Sequence, residues 1–313
     1  MGSLVNETDF VARAVVYNLL TVDIELPFRI GVFAFNEYPD EVAAQYHLGQ
    51  GERPAEWDTR YPKWYTYLEY QLTDNSHDQY LKQFLVEQAA RKLLSRLLQV
   101  LQLYSPTPLS GHVHAIRSAS RADFTEEDVF LFPRAIGGNP TEAEVYFIAK
   151  DNLDAIKQHF TSLWDRDWHL INLPTSRYMR SYTRDIYSEE YEPDDAFMDL
   201  MIALDNLFGS AEAVGYKVAL RAACLLETTS DKRGKLSEAI KDWWRKRNQI
   251  AHGKGERIVE WEDVEGLREV VRRAIMAVWR VQLKGDDLDD YLFLCGRSSR
   301  ALARGKKREG PYV

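Results

Sequence analysis

The chain has 313 residues, of which 45% are apolar and 28% charged, and its formal net charge is −8. Length alone suggests about two domains, the apolar share excludes a disordered chain, and the acidic balance excludes a protein that coats nucleic acid over its whole surface. Cys224 and Cys295 are the only cysteines and lie far apart, which excludes a disulfide framework or a zinc knuckle and fits a reducing compartment. At the N-terminus, MGSLVNETDF has no basic segment followed by an apolar one, and Asn6 stands where a myristoylation signal needs Ser or Thr. No run approaches eighteen apolar residues, so the expected setting is the cytoplasm, away from a membrane.

Residues 24–35 are rich in β-branched and aromatic side chains and predict one or two strands, with Pro27 at an edge or a strand start. Residues 50–75 carry Trp57, Tyr61, Trp64, Tyr65, Tyr67 and Tyr70 and read as an aromatic loop region. Over 79–103, Leu81, Phe84, Leu85, Leu94, Leu98 and Leu101 recur at helical steps, and the Pro106 and Pro108 that follow stop the helix. Strands are expected at 112–118, 129–136 and 144–149, then a helix capped by Asp151 and running to Trp164. Residues 1–190 thus read as an α+β domain, with a sensing or regulatory role expected for it.

An acidic stretch at 188–195, containing Pro193 and no apolar period, marks the expected domain boundary. Beyond it the pattern is helical only: 195–208, 213–227, 235–251 and 261–281, with Gly209 and Gly253 as stops. Four helices with short links predict an all-α up-and-down four-helix bundle over 193–285. Residues 286–313 read as a charged C-terminal tail.

The third of these helices carries the chemistry. From Thr229 to Arg257 there are nine Lys or Arg against four Asp or Glu, a basic patch within an acidic protein. On a helical wheel Ile240, Trp243, Trp244, Arg247 and Ala251 share one face, so Arg247 stands where a core residue is expected. A buried arginine needs a partner or a site. His252 follows five residues later, which in a straight helix turns it about 140° away from Arg247. The two converge only if the helix unwinds or if a second copy completes the site. Asn248 lies one turn before His252 and is placed to orient its ring. A histidine that titrates near neutrality moves protons, and a guanidinium grips phosphate oxygens and offsets developing charge. Together they suffice for attack of a ribose 2′-hydroxyl on the adjacent phosphorus without a metal.

The segment Leu220-Arg-Ala-Ala-Cys-Leu-Leu226, followed by Trp244-Arg-Lys-Arg-Asn-Gln-Ile-Ala-His-Gly253, resembles the HEPN superfamily, and within it the ApeA-like branch. The family motif is an Arg, often with a polar residue next to it, four to six positions before a His; Arg247, Asn248 and His252 match it. The resemblance covers about ninety residues. It implies a helical bundle, homodimerisation that joins two motifs, and in many members RNA cleavage in toxin or phage-defence systems, leaving 2′,3′-cyclic phosphate and 5′-hydroxyl ends. Other members bind nucleotides or are inactive. Lys254 occupies the position of the tyrosine that marks the branch regulated by a nucleotidyltransferase. On this reading Arg247, Asn248 and His252 are catalytic, Arg245, Lys246 and Lys254 bind RNA, no cofactor or metal takes part, and a phage or cellular trigger acts on the N-terminal domain. The alternative is a non-catalytic nucleotide-binding, RNA-binding or dimerisation module in which Arg247 pairs with an acid such as Asp205 and His252 merely caps the helix.

Other features carry weaker chemistry. His112 and His114 would share one strand face as a metal pair, but no third ligand is evident. Asp286, Asp287, Asp289 and Asp290 would hold a cation or, more simply, form solvated surface.

Overall fold

The structure, a computed structural model, describes residues 8–17, 19–36, 65–74, 79–107, 109–121, 123, 136–137, 146–164, 168–183, 193–210, 214–253 and 258–294. The chain divides into two compact units, Met1–Arg166 and Asp167–Val313.

The first unit is α+β. Its strands are β1 (Thr8–Tyr17), β2 (Leu19–Val22), β3 (Phe28–Ile30), β4 (Phe33–Asn36), β5 (Tyr65–Asp74), β6 (Ser110–Ser118), β7 (Ile136–Gly137) and β8 (Tyr146–Ala149). Six of them form one sheet in the order β3-β4-β5-β1-β6-β7. Every neighbouring pair in it is antiparallel. β1 is central, pairing Thr8 with Asp74 and Tyr17 with Tyr65 on one side, and Tyr17 with Ser110 on the other across a register shift at Arg13/Ala14. β2 and β8 form a separate parallel pair. Ala12, Ala14 and Val16 of β1 are buried at alternate positions, as the pleat requires. The long helix α1 (Gln79–Tyr104) buries Val86, Ala90, Leu94, Leu97 and Leu101, a stripe at four- and three-residue steps.

Helix α2 (Leu153–Trp164) turns Ile156, Phe160 and Leu163 inward. Phe33 meets the Phe160 and Trp164 rings edge-on. Gly31 links β3 to β4 at φ +56°, and a Cβ there would collide with the Phe160 ring, so both conformation and space demand glycine.

Several expectations shift here. The 24–35 segment resolves into the short strands β3 and β4, with Pro27 just before the first. Tyr65, Tyr67 and Tyr70, read as loop, lie on β5, because strand pairing with β1 and β4 absorbs them; Trp57, Tyr61 and Trp64 fall outside the described residues, as do 129–135. β1 and β2 carried no predicted element. Asn152, and not Asp151, directly precedes α2, its Oδ1 accepting from the Ala149 N–H at 2.9 Å.

The second unit is helical: α3 (Asn172–Thr183), α4 (Pro193–Phe208), α5 (Val214–Leu226), α6 (Ser230–Ala251), α7 (Trp261–Val281) and α8 (Asp287–Leu294). α4 supplies the heart of the core through Phe197, Leu200, Leu204, Leu207 and Phe208, facing Val264, Leu267, Val271, Ile275 and Val278 of α7. The unit boundary falls before α3, upstream of the acidic 188–195 stretch, and the reason is polar. Asp199 of α4, 2% exposed, accepts from Arg177 Nη1 at 2.6 Å and pairs with Arg180 Nε at 3.4 Å, both on α3. From α7, the Arg268 guanidinium lies 4.2 Å from the Tyr182 ring centroid and donates to the Ser181 carbonyl at 2.5 Å. These bonds make α3 part of the helical unit.

The residues expected to be a charged tail fold as far as Leu294. α8 buries Leu288 and Leu292, and its acids close on a buried arginine. Arg221 of α5 is 1% exposed. Its Nε and Nη2 donate to both oxygens of Asp289 at 2.9 Å, Nη2 also reaches Asp286 Oδ1 at 2.5 Å, and Nη1 donates to the carbonyls of Phe208 and Gly209 at 2.7 and 3.2 Å. Asp286 and Asp289 of the acidic cluster are thus the counter-charge of Arg221. Hydrogen bonds to Asp289, then Asp286, raise the Arg221 pKa further against the opposing effect of burial.

Replacing Arg221 by Ala removes the guanidinium from two carbonyls and two carboxylates. It is expected to cost roughly 2–4 kcal/mol, less than for a fully buried pair because both carboxylates reach solvent. Urea unfolding of the full chain followed by tryptophan fluorescence reads this out; an unchanged midpoint would show that the guanidinium is not structural.

Candidate functional site

Helix α6 begins at Thr229, whose hydroxyl accepts from the Lys232 N–H, and it runs unbroken to Ala251. Its end is set by two residues. The His252 N–H donates to the Asn248 carbonyl at 3.1 Å, so helical phase persists through His252, and Gly253 then takes φ +66°, the left-handed value that favours glycine, with its N–H on the Ile250 carbonyl at 3.0 Å. The helix therefore does not unwind between Arg247 and His252. Their directions stay about 140° apart, and convergence within one chain through local unwinding does not occur.

Arg247 is half-buried. Its guanidinium lies 5.2 Å from the Trp244 ring centroid, and Nη1 donates to Asn248 Oδ1 at 3.2 Å. No carboxylate oxygen among the described residues lies within 4 Å of it. The nearby acid is Asp205 of α4: burial pushes its carboxyl upward, and the positive charge of Arg247 acts against that. Asp205 is thus an electrostatic neighbour of Arg247 without contact, and the stacking surface comes from Trp244. That ring is seated on Gly215 of α5, where any Cβ would overlap it.

Asn248 was placed to orient the His252 ring, but its side-chain oxygen is turned to Arg247 instead. His252 is exposed, and its ring makes no hydrogen bond with the described residues. Arg245 is exposed, 71% for its side chain, and among the described residues pairs with Asp242 at 3.2 Å. Lys246 is engaged: its Nζ sits 2.8 and 2.7 Å from the two oxygens of Asp263. Lys254 lies outside the described residues. The shared face read from the wheel is only partly buried. Ile240 is fully buried, Trp243, Trp244 and Arg247 are half-buried, and Ala251 is exposed.

Asp263 is the residue that sequence reasoning undervalued. Standing near the start of α7, it accepts from Lys246, from Trp243 Nε1 at 3.3 Å and from the Glu260 N–H at 3.2 Å. It therefore pins the last turns of α6 to the first turn of α7 and fixes the chain on both sides of the His252 corner. An acid in the first turn of a helix is a visible signal; its partners across the corner are not. Burial raises its carboxyl, but the bonds from Lys246, Glu260 and Trp243 outweigh this and hold it below the usual range.

His112 and His114 lie two residues apart on β6, and their side chains are outside the described residues. Among the described residues no three His, Cys, Asp or Glu side chains are disposed to hold a metal ion, and no helix is long and apolar enough to cross a membrane. Cys224 is buried. In comparisons with known proteins, no family model, no curated protein and no solved structure matches the chain.

Because the folded pKa of Asp263 is depressed, its contribution is present above the ordinary carboxylate range and is lost as pH falls through the folded value. Asp263→Asn is expected to cost about 1–2 kcal/mol near pH 7, with the gap to the parent protein shrinking steadily below about pH 4. Chemical denaturation at pH 7, 5 and 3 measures this; a pH-independent gap would contradict it.

Proposed function

We propose that the chain is a metal-independent RNA endonuclease of HEPN type whose site is built on α6, with the α4–α7 assembly as its four-helix bundle and the N-terminal unit as the sensing or restraining part of a cytoplasmic toxin or phage-defence effector. The observation that carries this reading is the state of Arg247 and His252. A half-buried guanidinium stacked on Trp244, with no carboxylate of the described residues in contact, keeps its hydrogen-bonding edge for an anion, and an exposed imidazole stands at the end of the same unbroken helix.

In the proposed reaction His252 accepts the 2′-hydroxyl proton as that oxygen attacks the neighbouring phosphorus. The 5′-oxygen leaves with a proton supplied by an imidazole. Arg247, aligned by Asn248, holds the non-bridging oxygens as charge builds. The products carry a 2′,3′-cyclic phosphate and a 5′-hydroxyl.

The 140° divergence supports a site completed across a homodimer, Arg247 from one copy facing His252 of another. α6 suits such a role, since Ile240 is its only fully buried side chain while Trp243, Trp244 and Ile250 are half-exposed.

The second reading, a non-catalytic binding or dimerisation module, is favoured by Asp205 beside Arg247. In that case Arg247→Ala destabilises the fold or dimer, and His252→Ala changes no activity.

With total RNA or tRNA in EDTA, His252→Ala and Arg247→Ala are each expected to lower cleavage by at least about 100-fold. Equal cutting by His252→Ala ends the nuclease reading. If the site is shared, mixing the two inactive variants restores roughly a quarter of parental activity, since half the dimers are mixed and each regains one of its two sites. No recovery on mixing places both groups in one chain.

A further inference from the structure

The phase of α6 sorts its polar residues into two directions. Arg247 points one way. Lys241, Arg245, Asn248 and His252 follow at steps of four, three and four, and fall within about 60° of one another. They form one outward stripe about 16 Å long, ending at the histidine. At its head stands Tyr216 of α5, 57% exposed, with Lys241 Nζ 5.9 Å from its ring centroid. Such a ring stands out on a helix that turns Val218, Ala219, Ala222 and Leu225 inside.

The cations on this stripe are loosely held. Lys241 meets Glu238 at 2.7 Å and Arg245 meets Asp242 at 3.2 Å, both as exposed pairs within one helix. Pairs of this kind contribute little, so exchanging the carboxylate for a phosphate costs little. Their acids line one edge of the stripe and keep its net charge low. A ligand held here must therefore gain from stacking as well as from charge. That combination, an open aromatic face followed by spaced cations, suits an unpaired nucleic-acid strand and not a rigid duplex.

We propose that Tyr216, Lys241 and Arg245 form a single-stranded RNA subsite leading to His252, in which an unpaired base stacks on the Tyr216 ring and the two cations hold successive phosphates. Sixteen ångströms accommodates about five nucleotides of a stacked strand. The subsite rests on the ribonuclease reading for its substrate, and it adds that the substrate is unpaired for a few nucleotides beside the cut.

The test uses the full chain carrying His252→Ala, so that binding is read without cutting, and a fluorescent eight-nucleotide single-stranded RNA with its duplex as control. Tyr216→Ala should weaken single-strand binding roughly tenfold and Tyr216→Phe should restore it. Duplex binding should be weaker and indifferent to Tyr216. With two phosphates neutralised, the logarithm of affinity should fall with the logarithm of salt at a slope of about −1.4. Unchanged single-strand binding by Tyr216→Ala, absence of binding by the parent, or a duplex that depends equally on Tyr216 overturns the subsite. So does loss of the dimer in Tyr216→Ala on a sizing column, which would assign this face to a second copy. The two readings fail separately: cleavage by His252→Ala removes the nuclease, whereas full cleavage inactivation by His252→Ala with no effect of Tyr216→Ala on binding removes only the subsite.

Discussion

A guanidinium buried beneath α5 organises the helical unit. Arg221 lacks solvent, so all its hydrogen-bonding capacity must be met from the protein, and an uncompensated charge there would cost several kcal/mol. It is met from three directions at once. The carbonyls of Phe208 and Gly209 close the end of α4, and Asp286 and Asp289 draw α8 down over the same corner. The corner in turn locates Asp205, one turn before Gly209, and the opening turn of α5, whose Gly215 leaves room for Trp244. Trp244 is the surface on which Arg247 rests. A charge satisfied deep in the unit thus sets the position of a second arginine that is left available at the edge.

The two arginines show how environment divides one chemistry into two roles. Arg221 is surrounded by acceptors and acts as a cross-brace. Arg247 meets an aromatic face, a neighbouring amide and an acid that stays out of contact. Stacking lets a guanidinium leave water on its faces while its edges remain able to donate. Under the proposed reading, in which a phosphodiester is bound and released, this arrangement is more useful than a fixed ion pair. On the other side of α6, Asp263 ties Lys246 to the start of α7, while the ring of His252 makes no hydrogen bond with the described residues.

Much of the helical unit was legible because its signals are local. The helical periods of 195–208 and 261–281 and the stops at Gly209 and Gly253 lie within a few residues of the structures they produce, whereas the helix expected from 235 starts at Ser230 behind the Thr229 cap, a start its apolar period does not mark. The sheet was less legible. Thr8–Tyr17 mixes Arg, Ala and Val without clean alternation, and it is a central strand because β5 and β6 pair with it from 48–66 and 93–108 residues away. α3 was missed because its inward residues include Thr175 and Ser181 beside Tyr178, a pattern that does not announce an apolar stripe. The aspartates of the Asp286–Asp290 run are solvent-exposed, as its composition suggests, but the pairing of Asp286 and Asp289 with Arg221 was not legible because nothing nearby in sequence reveals a buried arginine.

The sequence by itself determined the chemical vocabulary of the candidate site. Arg247, Asn248 and His252 sit on one helix at a fixed spacing, and 3.6 residues per turn then separates the first from the last by a wide angle. It also determined where that helix must stop, since Gly253 takes a left-handed conformation at little steric cost. Only the tertiary structure decided which cations are engaged. Lys246 is turned to Asp263 and Arg221 to α8, whereas Arg247 stacks on Trp244 and Arg245 remains in solvent. The physical reason is that an arginine or lysine carries the same charge wherever it occurs; its availability depends on which carboxylates and carbonyls the fold brings within about 3 Å, and those arrive from distant parts of the chain.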